Sequence, residues 1–146
     1  MTAPATRHDP ITRWGRAGAA YDLAVTVWFA TPWTAVFVFD GLRNVHTTLD
    51  LPGTPPPSPS GTALLMTTLF GVVVSMWSLA RWLHPEPSLI VIDTIGRLAF
   101  STWFTWALIQ GESLVLSAFL LLELVWTALQ GRALLIKRYG PARAHR

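Results

Sequence analysis

Cysteine is absent from this chain of 146 residues, and charge is scarce. Without cysteine there is no disulfide framework, no thiol nucleophile and no thiolate metal site, and redox chemistry says nothing about compartment. Charged residues make up 13% of the chain, roughly half the quarter that soluble domains carry. Also missing are a Gly-rich phosphate loop, a GxSxG elbow, HExxH or HxxxH spacing and any repeat of solenoid period. What is present is apolar: 51% of residues, with a mean hydropathy of +0.41. This balance excludes a disordered chain, a nucleic-acid reader and an ordinary cytosolic enzyme, and points to an integral membrane protein of one small domain. The sequence pI near 10.2 reflects a net charge of only +3.

A bilayer core of about 30 Å needs about 20 helical residues at 1.5 Å each. Stretches 21–40, 62–83, 89–110 and 113–136 meet that length. Before them lies a polar segment, 1–20, too long and too polar for a cleaved signal peptide. After them comes a basic tail, 137–146, suited to anionic headgroups. The outer loop, 41–61, contains LPGTPPPSPS at 51–60, which favours extended backbone and cannot build a core. The links between spans two to four are short, so those spans are antiparallel neighbours. Arg7, Arg13, Arg16, Arg81, Arg97, Arg132, Lys137, Arg138, Arg143 and Arg146 all fall on one side of this layout, and only Arg43 on the other. The positive-inside rule makes the basic side cytoplasmic. The expected fold class is therefore all-α: an integral membrane four-helix bundle, up-down-up-down, with both termini cytoplasmic.

Each span carries one polar stripe when its residues are turned by about 100° a step. Span one aligns Asp22, Thr26, Phe29, Trp33 and Asp40; span two aligns Thr68, Gly71, Ser75, Ser78 and Trp82. Span three aligns Asp93, Arg97, Ser101 and Thr105, and span four aligns Glu112, Glu123, Thr127 and Gln130 beside Trp126. Hydrocarbon cannot satisfy these groups, so the stripes are expected to converge inside. Gly71 and Ser75, small residues four apart, suit a close helix approach.

Glu123 stands about ten residues from either end of span four. A carboxylate at that depth costs about 2.5–3.5 kcal/mol on insertion scales. It is the leading candidate for a general acid, proton relay or ligand anchor, against interhelical glue. Asp93 and Arg97 stand one turn apart and can pair on their own helix; alternatively Arg97 binds an anionic head while Asp93 orients it, with Tyr21 and Asp22 completing the site. The catalytic candidates are thus Glu123, Asp93 and Asp22. The binding candidates are Arg97, Trp33, Trp126, Ser101, Thr127, Gln130 and Ser75, with Trp33 and Trp126 as aromatic walls. Asp40, Arg43, His46 and Asp50 form an outer cluster, but His46 and Asp50 are two ligand-type residues and two do not make a metal site. No metal and no cofactor is expected.

The start of span one, YDLAV at 21–25, the Pro-containing first loop, Arg81 closing span two, and LLLELVW at 120–126 followed by GRALL at 131–135 resemble the DoxX-like group of small bacterial four-helix membrane proteins. The resemblance implies the fold and a bacterial inner membrane, in a group of diverse function. Small membrane isomerases and terpene cyclases offer a looser analogy, with no matched motif. The leading expectation is an intramembrane pocket for a lipophilic small molecule. If the chain is an enzyme, acid–base isomerisation or cyclisation of an isoprenoid-like substrate fits a carboxyl group between aromatic walls without a metal. The alternatives are proton-coupled transport or a channel component as a homo-oligomer, and an accessory subunit packed on a membrane partner. The lipid bilayer is the expected surrounding, and nucleic acid is not an expected partner.

Overall fold

The computed structural model describes residues 10–139, so the segments 1–9 and 140–146, including Arg7, Arg143 and Arg146, lie outside it. The described chain is all-helical, as its composition implies. Five α-helices follow one another: α1 (Pro10–Thr26), α2 (Pro32–Thr48), α3 (Gly61–Leu83), α4 (Pro87–Ile109) and α5 (Leu116–Tyr139). A short 3-10 turn, Val27–Phe29, extends α1. By length and composition α3 and the Leu116–Ile136 part of α5 can cross a membrane, and the α1–α2 pair adds a third crossing if the two are counted as one. α4 has 23 residues and carries Asp93 and Arg97 in its first half.

The first expected span needs correction. Residues 21–40 do not form one helix: α1 begins at Pro10, and the chain bends by 101° between Phe29 and Pro32. The cause is local. Proline has no amide hydrogen for the helical ladder and forces the residue before it out of the α region. Thr31 accordingly sits at φ −132°, ψ 150°, and its Oγ1 accepts a 3.3 Å bond from Thr34 N–H, so the break is also a capped start for α2. α1 packs on α3, α4 and α5, α4 lies along α5, and α2 rests on α3 and the 3-10 turn.

Apolar side chains face outward. Leu65, Met66, Phe70 and Val73 on α3, and Leu121, Leu124 and Val125 on α5, are exposed. Much of the interior is polar instead: Ser75, Ser78, Arg81, Asp93, Arg97, Ser101 and Gln130 are buried. A small apolar cluster of Ile11, Ile90 and Ala133 closes one end, with Trp14 and Leu134 against it.

The Pro-rich segment is pinned at the other end. Thr54 N–H donates to Gly111 O at 2.8 Å and Leu114 N–H to Pro52 O at 2.9 Å, while Arg43 Nε donates to Pro56 O at 3.0 Å. Buried His46 on α2 adds a 2.7 Å bond between its Nδ1 and Ser113 Oγ in the α4–α5 turn. Gly53 makes this clasp possible. Its φ is +98°, and a Cβ there would lie 2.4 Å from Glu112 O. Gly53→Ala is therefore expected to open the clasp. Backbone strain of about 1–3 kcal/mol raises the open population, and with it the rate of limited proteolysis within 51–60, by about one to two orders of magnitude. An unchanged cleavage rate would show that the loop is held by something else.

Candidate functional site

The centre of the molecule is a network of charged side chains from α1, α3, α4 and α5. Arg97 on α4 lies at its heart with 2% exposure. Its Nη2 donates to Asp22 Oδ2 at 2.6 Å, its Nε to Asp93 Oδ2 at 3.1 Å, and its Nη1 to Glu123 Oε2 at 3.0 Å. One guanidinium thus holds three carboxylates from three helices. Its five donors in a planar fork permit this, where the compact ammonium of lysine would not.

Arg81, only 1% exposed, enters from α3. Its Nη2 donates to Asp22 Oδ2, and its Nη1 stands 2.6 Å from Asp93 Oδ2, at ion-pair distance but off the line of a hydrogen bond. Gln130 on α5 is fully buried. Its Nε2 donates to Asp93 Oδ2 at 2.9 Å, and its Oε1 accepts from Thr94 Oγ1 at 3.2 Å. Trp77 Nε1 reaches Asp93 Oδ1 at 3.5 Å, and the Arg81 guanidinium lies 5.7 Å from the Trp77 ring centre. Opposite, Arg97 lies 5.8 Å from the ring centre of Trp126, whose other neighbour is Tyr21 at 5.4 Å. Gly18 gives α1 this close approach, since a Cβ there would lie 2.7 Å from Gln130 Nε2.

Asp22, Asp93, Arg97, Glu123, Gln130 and Trp126 therefore come together, and so does Tyr21. Ser101 and Thr127 stand one helical turn beyond Arg97 and Glu123 respectively, and their buried hydroxyls have no hydrogen-bond partner among the described residues. Serine and threonine in helices commonly satisfy themselves on the carbonyl four residues back. Thr26, Thr68, Thr94 and Thr105 do so. The two free hydroxyls are thus polar groups left open beside the cluster. Ser75 is buried one step away, its Oγ 3.5 Å from Thr26 Oγ1, and has no hydrogen bond to the charged groups.

Two expectations change. Trp33 is not a wall of this centre: it stands at the start of α2, past the break, with 80% exposure. The wheel that aligned it with Asp22 assumed one uninterrupted helix. Arg81, read only as a boundary charge that sets topology, is a buried member of the network. The signal for it was weak: Arg81 lies three residues beyond Ser78 in the polar stripe of α3, and a long side chain can swing onto that face.

Glu123 is also less isolated than its depth suggests. Oε2 is engaged by Arg97, while no donor among the described residues reaches Oε1. Its side chain is 15% exposed, the most of the five charged groups. With all three carboxyls ionised, Asp22, Asp93 and Glu123 against Arg81 and Arg97 leave the cluster one positive charge short of neutral.

Of the outer residues, Asp40, Arg43 and His46 serve the clasp, while Asp50 closes α2 with a backbone bond to Thr47 O at 3.4 Å. Asp40 pairs with Arg43 at 3.4 Å, and both bond Ser58. Among the described residues no group of three ligand-type side chains is placed to hold a metal ion. Compared with known proteins, the chain matches no family model, no curated protein and no solved structure.

Proposed function

We propose that this chain is a multi-pass protein of the cell membrane whose charged centre holds the polar end of a small lipophilic molecule. In this reading α1, α3, α4 and α5 form the four-helix bundle, with both termini cytoplasmic. The basic flanks and the outward apolar faces support it. The likeness to the DoxX-like group belongs to the same proposal and rests on the residues quoted for it.

One observation carries the ligand reading. A buried cluster that is one positive charge short ends at a carboxylate, Glu123, with a free oxygen at its exposed edge. Uncompensated charge in a low-dielectric interior is costly, so the partner of Oε1 is a hydrogen-bond donor or a cationic group. The ring of Trp126 lies beside Arg97 and that of Tyr21 beside Trp126, and the two suit an apolar or cationic body. If chemistry follows, it is acid–base isomerisation or cyclisation with Glu123 moving the proton, and it requires the bond to Arg97 to loosen during turnover.

The test is mass spectrometry of small molecules extracted from gently purified wild type and Glu123→Gln. A defined lipophilic compound present with the wild type and lost or depleted at least tenfold with the variant supports the site. Identical bulk lipid from two equally helical preparations overturns it. The missing charge also favours a second reading, proton-coupled transport by an oligomer, because a proton restores neutrality as well as a ligand does. Proton flux into vesicles that depends on both Glu123 and Asp93 would select that reading.

A further inference from the structure

The chain expected to run straight through the first crossing turns aside at Ala30–Thr31. Asp22 meets Arg97, and seven residues further along these two helices come Phe29 and Phe104. On α5 the same level is marked by Phe119, stacked on Phe104 at 5.9 Å. The break at Ala30–Thr31 therefore lies one to two residues above the level of Phe104, and Ile109, the end of α4, lies five positions beyond Phe104. At 1.5 Å a residue, the turn sits about 5 Å below that end. From there α2 heads off at 101° and finishes against the α4–α5 turn, where His46 meets Ser113.

The outward side of α2 changes character along its length. Trp33 and Phe37, one turn apart, are 80% and 72% exposed. From Asp40 onward the side chains exposed on that same face are Asp40, Asn44, Thr47 and Thr48, and half-buried Arg43 ties this end to Asp40 and Ser58. Apolar Val45 and Leu49 are exposed too, Val45 about 120° round the helix from Trp33. Neighbouring α3, on which α2 packs, also exposes apolar side chains: Leu65, Met66, Leu69 and Phe70.

We infer that α2 is an interfacial helix, not the upper half of a span. Trp33 and Phe37 are seated in the outer leaflet at the boundary between headgroups and acyl chains, and the helix leaves the lipid between Phe37 and Asp40. The occupant of this aromatic face is phospholipid. Tryptophan favours that depth because its ring is apolar and its N–H is wet, and helices lying in the interface bury their apolar side by about 5–10 Å. The inference rests on the membrane reading above and adds that α1 alone makes the first crossing, with α2 as a collar on its outer end.

The absence of cysteine makes the test clean. Single cysteines replace Trp33, Phe37, Asp40, Asn44 and, as a reference on α3, exposed Met76, five residues deeper than the level of the break at Gly71. Each carries a nitroxide label in vesicles of phosphatidylethanolamine and phosphatidylglycerol, and collision with oxygen is compared with collision with a water-soluble nickel chelate. Labels at 33 and 37 are expected to favour oxygen at about 5–10 Å below the phosphates, labels at 40 and 44 to favour nickel, and the label at 76 to lie deepest. Nickel access at 33 and 37 equal to that at 44 overturns the inference while an oxygen-rich label at 76 leaves the membrane reading standing. A label at 33 as deep as 76, with depth falling steadily along α2, makes α2 half of a span and also overturns it. Nickel access at 76 removes the membrane reading itself.

Discussion

Replacing Arg97 by methionine is expected to destabilise the protein more than any other single change, by about 3–5 kcal/mol. Removing this one side chain strips a hydrogen-bonded partner from Asp22, Asp93 and Glu123 at once. It leaves three carboxylates facing Arg81 alone. Breaking one partner of a buried pair costs far more than the pair contributes, because the stranded charge has no water to return to. Unfolding in mixed detergent micelles, followed by tryptophan fluorescence, measures it. Arg132→Met, at an exposed position on α5, is the control and should shift stability by no more than about 0.5 kcal/mol.

Charge balance sharpens this prediction. Arg97→Met combined with Glu123→Gln removes one charge of each sign, so the pair should lose less than Arg97→Met alone. Arg97→Lys keeps the charge but not the planar fork, and should fall between wild type and methionine. A melting curve for Arg97→Met that overlays the wild type would show that the carboxylates are solvated or neutral, and the network would lose its structural meaning.

Much of this network was legible in the sequence. In α4 and α5 the 100° wheel works because both helices are uninterrupted over the residues concerned, so Asp93, Arg97 and Ser101, and Glu123, Thr127 and Gln130, could be set on facing stripes from spacing alone. The same wheel failed in the first span because Thr31 and Pro32 stop the helix and reset its phase, so alignment of Asp22 with Trp33 had no physical meaning. Proline at 32 carried that information, and apolarity across 21–40 masked it. Arg81 was hidden for another reason: its backbone lies off the polar stripe, and only the length of its side chain brings it in. The outer clasp was not legible at all. His46 and Ser113 are 67 residues apart, and neither has a local pattern that names the other.

The second large effect is expected at Gly71, and its sign runs against helix propensity. Alanine in place of a mid-helix glycine ordinarily stabilises by about 0.5–1 kcal/mol. At Gly71 the new Cβ would stand 2.4 Å from Phe29 C, 2.5 Å from Phe29 O and 2.7 Å from Ala30 N. All three are backbone atoms at the end of the 3-10 turn, so no flexible side chain can yield. Either α3 moves away from α1 or the bend itself shifts, and overpacking of this kind costs typically about 1–3 kcal/mol and occasionally more. Three residues nearer the cluster from Phe29, Thr26 faces Ser75, and beyond it Asp22 meets Arg81, so a displaced α3 also loosens the ion pairs. Gly96 and Gly131 supply the comparison, since a Cβ at either meets nothing within 4 Å. Gly96→Ala and Gly131→Ala should raise the unfolding midpoint slightly, while Gly71→Ala lowers it markedly. If all three variants gain stability alike, α3 does not pass against the break, and the turn at Ala30–Thr31 is held by Pro32 and the Thr31 cap alone.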